Sequence, residues 1–242
     1  MLLTLYQFPI SHYCEKVRWA LDYKGLDYKL KNLIPGLHFK TTTKLAAKSS
    51  VPVLQHGDKI IQGSIQIITY LDEKFPDKKL TPANPQEKQT ALEWERYLDS
   101  ELGIHVRRYL YQTVLQHRRL AIGFFGSGNS VFAKPILWFI YPGMVKKMRK
   151  YMDINPSTAE QSRVQIQKCL RRLNESVRDK KFLVGDQFCR ADLTACALLA
   201  PLFMPSKYGL QWPQALPEPL HSEINAMNAD LAWAIKTYTK YR

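Results

Sequence analysis

What constrains this chain most is a change of pattern at residues 76–85. Before that stretch, strand and helix signals alternate; beyond it, the apolar spacing is helical almost throughout. The stretch itself is rich in Pro, Asp, Lys, Thr and Asn, the composition of a linker. A chain of 242 residues divided in this way is long enough to bury two cores. The division predicts an α/β domain over 1–75, a linker over 76–85 and an all-helical domain over 86–242.

Within the first part, residues 2–6 read as a strand, and 15–24 as a helix that places Val17, Ala20 and Leu21 on one face and that Gly25 can close. A half-buried strand follows at 28–33, then a weaker helix at 40–47. Residues 51–55 and 59–61, joined by His56-Gly57-Asp58, make a hairpin. Ser64 is placed to cap a helix carrying Ile65, Ile68 and Leu71, which stops before Pro76. The order is β-α-β-α-β-β-α. In the second part Asn84-Pro85 is an N-cap and first-turn pair opening a long helix through Trp94, Leu98 and Leu102 towards Leu115. A glycine and serine loop is expected at 123–130. The aromatic stretch 131–149 is broken by Lys134, Pro135, Pro142 and Gly143, which excludes a bilayer span. Further helices are expected near 158–179, 191–199 and 222–240.

Lys and Arg number 35 against 21 Asp and Glu, a net charge of +14. The basic residues are scattered, with 146–150 the densest run, and no nucleic-acid-binding motif accompanies them. A solvated basic surface is the expectation, with no nucleic acid as partner. Cys14, Cys169, Cys189 and Cys196 show neither zinc spacing nor a disulfide framework, so no metal is expected and a reducing compartment fits. The first residues lack the charged and apolar pattern of a leader, which points to the cytoplasm.

The chemistry is concentrated in Phe8-Pro9-Ile10-Ser11-His12-Tyr13-Cys14-Glu15-Lys16-Val17-Arg18, where a strand passes through a proline turn into a helix. The first turn of a helix presents unpaired N–H groups and the positive end of the macrodipole, which favour an anion such as a thiolate. Ser11 is best placed to use it, or serves simply as a cap. Ser-x-x-Cys has the spacing of the Cys-x-x-Cys of glutaredoxin-like proteins, with the leading cysteine exchanged for serine. Cys14, one turn on, faces the core or takes part in the chemistry. Tyr6 at the end of the first strand and His12 beside the cap are the other candidates.

Four places resemble the cytosolic glutathione transferase superfamily, and the resemblance covers essentially the whole chain. Ser11-His12-Tyr13-Cys14 looks like the active-site turn of serine- and cysteine-type members. Val51-Pro52 looks like their cis-proline signature, and Ser64 with Ile67-Ile68-Thr69-Tyr70-Leu71 is similar to the segment that holds the γ-glutamyl end of glutathione. Residues 182–193 match the capping-box segment of the helical domain, with Asp192 three residues after Cys189. Two positions depart from the pattern: Gly63 stands where Glu or Gln is usual, and Cys189 replaces a hydroxyl.

The resemblance implies a thioredoxin-like N-terminal domain followed by an all-helical domain, glutathione as co-substrate, a hydrophobic electrophile bound between the domains, and a homodimer. It implies Ser11 as hydrogen-bond donor to the glutathione thiolate, with Val51, Pro52, Gln62 and Ser64 holding the tripeptide. Gln62 would compensate for Gly63. A thiol of pKa about 8.5 is only about 3% ionised at neutral pH, and lowering it by about two units requires about 2.7 kcal/mol, part from Ser11 and part from the helix dipole. Phe132, Trp138, Tyr141, Tyr109 and Tyr111 would wall the electrophile site or fill the helical core. A glutathione-dependent reductase or isomerase using Cys14, and a non-catalytic binding or scaffold protein, are the alternatives.

Overall fold

The computed structural model describes residues 2–242. Strand β1 (Leu3–Gln7), helix α1 (His12–Tyr23) and strand β2 (Tyr28–Asn32) form a β-α-β unit with β1 and β2 parallel. After α2 (Phe39–Leu45), the hairpin of β3 (Val53–His56) and β4 (Lys59–Gln62) joins the other side of β1, antiparallel, with Leu5 opposite Leu54. The sheet order is β2-β1-β3-β4, so the apolar β1 lies inside. Helix α3 (Ser64–Lys74) packs beside α1.

The start of α3 differs from the sequence expectation. Gly63, at φ +96°, is the N-cap, and Ser64 is the first helical residue. A Cβ at position 63 would fall 2.4 Å from Gln66 Oε1, and side chains resist that φ. The backbone conformation at position 63 therefore favours glycine.

Beyond Lys74 the chain reaches Asn84, whose side chain accepts from the Gln86 and Glu87 amides and starts α4 (Pro85–Leu98). One π-helical turn (Asp99–Gly103) joins α4 to α5 (Ile104–Val114) in a continuous rod. Then come α6 (Arg118–Phe125), α7 (Ala133–Met152), α8 (Pro156–Ser176) and α9 (Arg190–Phe203), followed by α10 (Leu220–Asn225) and α11 (Ala232–Tyr241). Gly123 lies inside α6, so the predicted loop starts later, and the single helix expected near 222–240 is two helices. Helix α9 is buried at every residue from Arg190 to Leu202 and touches α1, α4, α5 and α11. Its cap follows the predicted box: Asp192 Oδ1 and Oδ2 accept from the Leu183 and Cys189 amides at 2.8 and 3.0 Å.

Polar side chains join the two halves. Arg190 Nε bonds Glu95 Oε2 at 2.7 Å, and the same guanidinium donates to Thr69 Oγ1, Thr81 Oγ1 and the Ile65 carbonyl. Lys16 of α1, fully buried, bonds Glu95 Oε1 at 3.2 Å and Asp99 Oδ1 at 2.8 Å. Glu15, next in line, accepts from Arg18, from Tyr238 Oη at 2.6 Å and from Arg242 Nε at 2.6 Å. These charges of α1 are buried because the helical domain covers them. Taking one partner from such a pair leaves a charge in low dielectric without compensation. Arg190→Leu is expected to cost about 3 kcal/mol or more in urea unfolding, and a loss below about 1 kcal/mol would contradict the clamp role.

Candidate active site

The turn between β1 and α1 places Ser11 at the helix N-cap, with φ −75° and ψ 119°. Its amide donates to the Phe8 carbonyl at 3.0 Å, which fixes the turn. Its Oγ accepts from the Cys14 amide at a long 3.3 Å, leaving the hydroxyl hydrogen to donate elsewhere. Ser11 is half-buried and lines a cleft of about 660 Å³ between the β1–α1 turn, the segment before α2, and helices α5, α6 and α7. The capping and site roles are therefore compatible, since one uses a lone pair and the other the proton.

Cys14 lies at 0% exposure and outside the cleft lining. Burial pushes its thiol up, against the smaller opposing effects of the Ser11 hydrogen bond and the Arg18 charge. Tyr6 is also away from the cleft, with its Oη donating to Gln55 Oε1 at 2.9 Å. His12, the candidate beside the cap, is buried, and its Nε2 has no partner among the described residues. Desolvation, helped by the charges of Arg107 and Lys16, holds its pKa down to about 3. The ring is thus a neutral part of the cleft wall at physiological pH.

A second recess, of about 210 Å³, opens beside the first and shares Tyr13 and Val51 with it. Pro52, Gly63, Ser64, Gln66 and Asp99 line it, and the Val51–Pro52 peptide is cis. Gly63 N–H donates to the Pro52 carbonyl at 3.0 Å, tying the cis segment to the start of α3. The structure therefore brings Ser11, Val51, Pro52 and Ser64 around one continuous pair of recesses. Gln62 stands apart: its amide donates to the Lys48 and Ser50 carbonyls at 2.6 and 2.8 Å and accepts from the Lys48 amide, so it braces the segment before Val51.

Of the five aromatics expected at the electrophile wall, only Tyr111 lines the cleft. Tyr109 points away, donating to Glu223 Oε2 at 2.6 Å, and Tyr141 is buried with its Oη on the Leu115 carbonyl at 3.0 Å. Phe132 and Trp138 are exposed, 71% and 43%, with the Arg118 guanidinium 3.8 Å from the centre of the Trp138 ring. Helix α7 instead meets the cleft through its later residues Met144, Lys147 and Met148. Arg107, Leu110, Tyr111 and Val114 of α5 complete the wall, and their helical spacing was the sequence signal that could have found them. Among the described residues no group of three or more His, Cys, Asp or Glu is arranged to hold a metal, and no helix is long and apolar enough to cross a membrane.

The buried neutral His12 has a consequence for stability. Between about pH 6.5 and about pH 3 the unfolded chain binds a proton there that the folded chain refuses, so stability falls on acidification through that window. His12→Asn is expected to lose less stability than the parent chain between about pH 7 and about pH 4, by up to about 3 kcal/mol, in urea unfolding at each pH. Identical slopes would contradict the burial of a neutral imidazole.

The family descriptions "Glutathione S-transferase, N-terminal domain" and "Glutathione S-transferase, C-terminal domain" match residues 5–79 and 138–218, in that order. Glutathione S-transferase 1 of Dianthus caryophyllus is 44% identical over 89 residues, a match spanning 36% of this chain and 40% of that protein. Tetrachloro-P-hydroquinone reductive dehalogenase of Sphingobium chlorophenolicum is 27% identical over 209 residues, 84% of this chain and 83% of that protein. The crystal structure of glutathione transferase F7 from Populus trichocarpa superposes with a TM-score of 0.66 at 18% identity, covering 99% of this chain and 97% of that one, a likeness of fold alone. With both halves matched in order and the fold shared, the chain belongs to the cytosolic glutathione transferase superfamily, whose members use glutathione as co-substrate.

Proposed function

We propose that this chain is a glutathione transferase in which Ser11 Oγ donates its hydrogen to the sulfur of bound glutathione. The observation that carries this reading is the contrast between Ser11, open to the cleft at the N-terminus of α1, and Cys14, sealed beneath it. Residues 1–75 hold the tripeptide: the main chain of Val51 beside cis-Pro52 pairs with the cysteinyl unit, and the recess of Ser64 takes the γ-glutamyl end. Gln62 acts at one remove, through the segment it braces. Residues 86–242 supply the other wall for an apolar electrophile. The protein works as a cytoplasmic homodimer, without nucleic acid as partner.

In this mechanism the thiol loses its proton to solvent, and the thiolate is held by the Ser11 hydroxyl and the first-turn amides. Sulfur then bonds to the electrophilic carbon, and the displaced group leaves with its electron pair. Ser11 stays a donor and never becomes the attacking atom. The dehalogenase activity named for the Sphingobium relative brings reductive chemistry into view. A protein thiol serving it would have to reach the cleft, and Cys14 is fully buried with its thiol pushed up.

Titration of the ultraviolet absorbance of bound glutathione thiolate is expected to place its pKa about two units below the free value in the parent chain, and back towards about 8.5 in Ser11→Ala. The same substitution is expected to lower kcat/KM towards chlorodinitrobenzene by about 10- to 100-fold, the range for a hydrogen bond to a charged group. An equal pKa in both proteins would remove Ser11 from the mechanism. Cys14→Ala is expected to keep the parent activity, and its loss would restore the reductase alternative.

A further inference from the structure

Between Glu101 and Asp153 the sequence contains nine Lys and Arg and no acidic residue. That segment builds α5, α6 and α7, the helical wall of the cleft. The consequence reaches the whole cavity, since Arg107 and Lys147 line it and, among the described residues, no Asp or Glu does.

Arg107 and Arg118 are the arginines whose buried Nε has no partner among the described residues, and of the two Arg107 lines the cleft. Lys16 is paired with Glu95 and Asp99, Arg18 with Glu15, Lys24 with Asp72, and Arg190 with Glu95. Arg107 has no carboxylate within 4 Å among the described residues, and its Nε is buried with no acceptor. It lies close enough to the Ser11 turn for its charge to act on His12, Tyr13 and Tyr111. The neutral His12 beside it cannot neutralise it. An arginine half-removed from water, with a free donor and no counter-charge, favours any anion that reaches it. The surroundings specify the rest of that anion: Leu110, Val114, Phe124, Met144, Met148 and Trp212 offer an apolar and aromatic bed.

We infer that the second substrate is an apolar acid, an aromatic or branched carbon body carrying a carboxylate, phenolate or sulfonate oxygen that accepts from the Arg107 guanidinium. This rests on the transferase reading above and narrows its electrophile from apolar to amphipathic and anionic. Glutathione also carries carboxylates, but in that reading they extend along Val51 and the Ser64 recess, which Arg107 does not line.

Two fluorescent probes with the same ring system test it: anilinonaphthalene sulfonate, and phenylnaphthylamine, which lacks the sulfonate. Both are titrated into the parent chain, Arg107→Gln and Arg107→Lys at physiological salt, with glutathione affinity measured by calorimetry and folding by circular dichroism. Arg107→Gln is expected to weaken the sulfonate about 10-fold or more, to leave phenylnaphthylamine and glutathione within about twofold, and Arg107→Lys to recover part of the loss. Parallel losses for the two probes, or no loss for the sulfonate, would overturn the inference. So would a loss confined to glutathione, because Arg107 would then belong to the tripeptide. Failure of the parent chain to bind glutathione would instead remove the transferase reading and with it the role of the acid as second substrate; the probe ratio would still show whether the cleft selects acids.

Discussion

Glu95 is shared by two cations that come from opposite halves of the molecule. Lys16 reaches it from α1 and Arg190 from α9, and both are buried. Without it Arg190 would lose its only carboxylate and Lys16 would keep Asp99 alone, and without them Glu95 would be a buried charge with no counter-ion. The rest of the interface follows: the Arg190 guanidinium also holds Thr69, Thr81 and the Ile65 carbonyl, so α3 and the linker are drawn to the same point. Asp99, the second partner of Lys16, lies in the π-helical turn, and its carbonyl accepts from Tyr13 Oη at 2.8 Å. The recess that receives Ser64 and the cleft that receives Ser11 are therefore set by one chain of buried charges.

Much of the architecture was legible because it depends on local chemistry. The position of the strand at residues 28–32, the Asn84-Pro85 cap and the Asp192 box each carry their signal within a few residues, although the alternation of that strand makes no buried face, since β2 lies at the sheet edge with Leu30 exposed. The start of α3 was misplaced by one residue, because a serine before an apolar run suits a cap equally well when a glycine at positive φ stands ahead of it. The burial of the α1 charges was not legible for a different reason. Periodicity shows which face of a helix is apolar, but not whether a second domain will cover the polar one.

The candidate site was legible where backbone conformation dictates which residues converge and obscure where tertiary approach does. Ser11, Val51, Pro52 and Ser64 converge because a turn, a cis peptide and a helix start bring them together. The aromatic residues of 131–149 drew attention by their number, yet Phe132 and Trp138 face outward, while the plainer Met144, Lys147 and Met148 on the same helix meet the cleft. The burial of His12 was hidden because it depends on α5, about 90 residues further along the chain, closing over the start of α1.

The link from Glu15 to Tyr238 and Arg242 spans 223 and 227 residues of sequence. A ribosome adding about 5–20 residues each second would take on the order of ten seconds or more between making Glu15 and making its partners. Throughout that interval the helix that carries the Ser11 turn holds a carboxylate awaiting most of its neighbours. The N-terminal domain, although translated first, would be among the last parts to reach its final packing, because the surroundings of Glu15 are completed only when α11 docks.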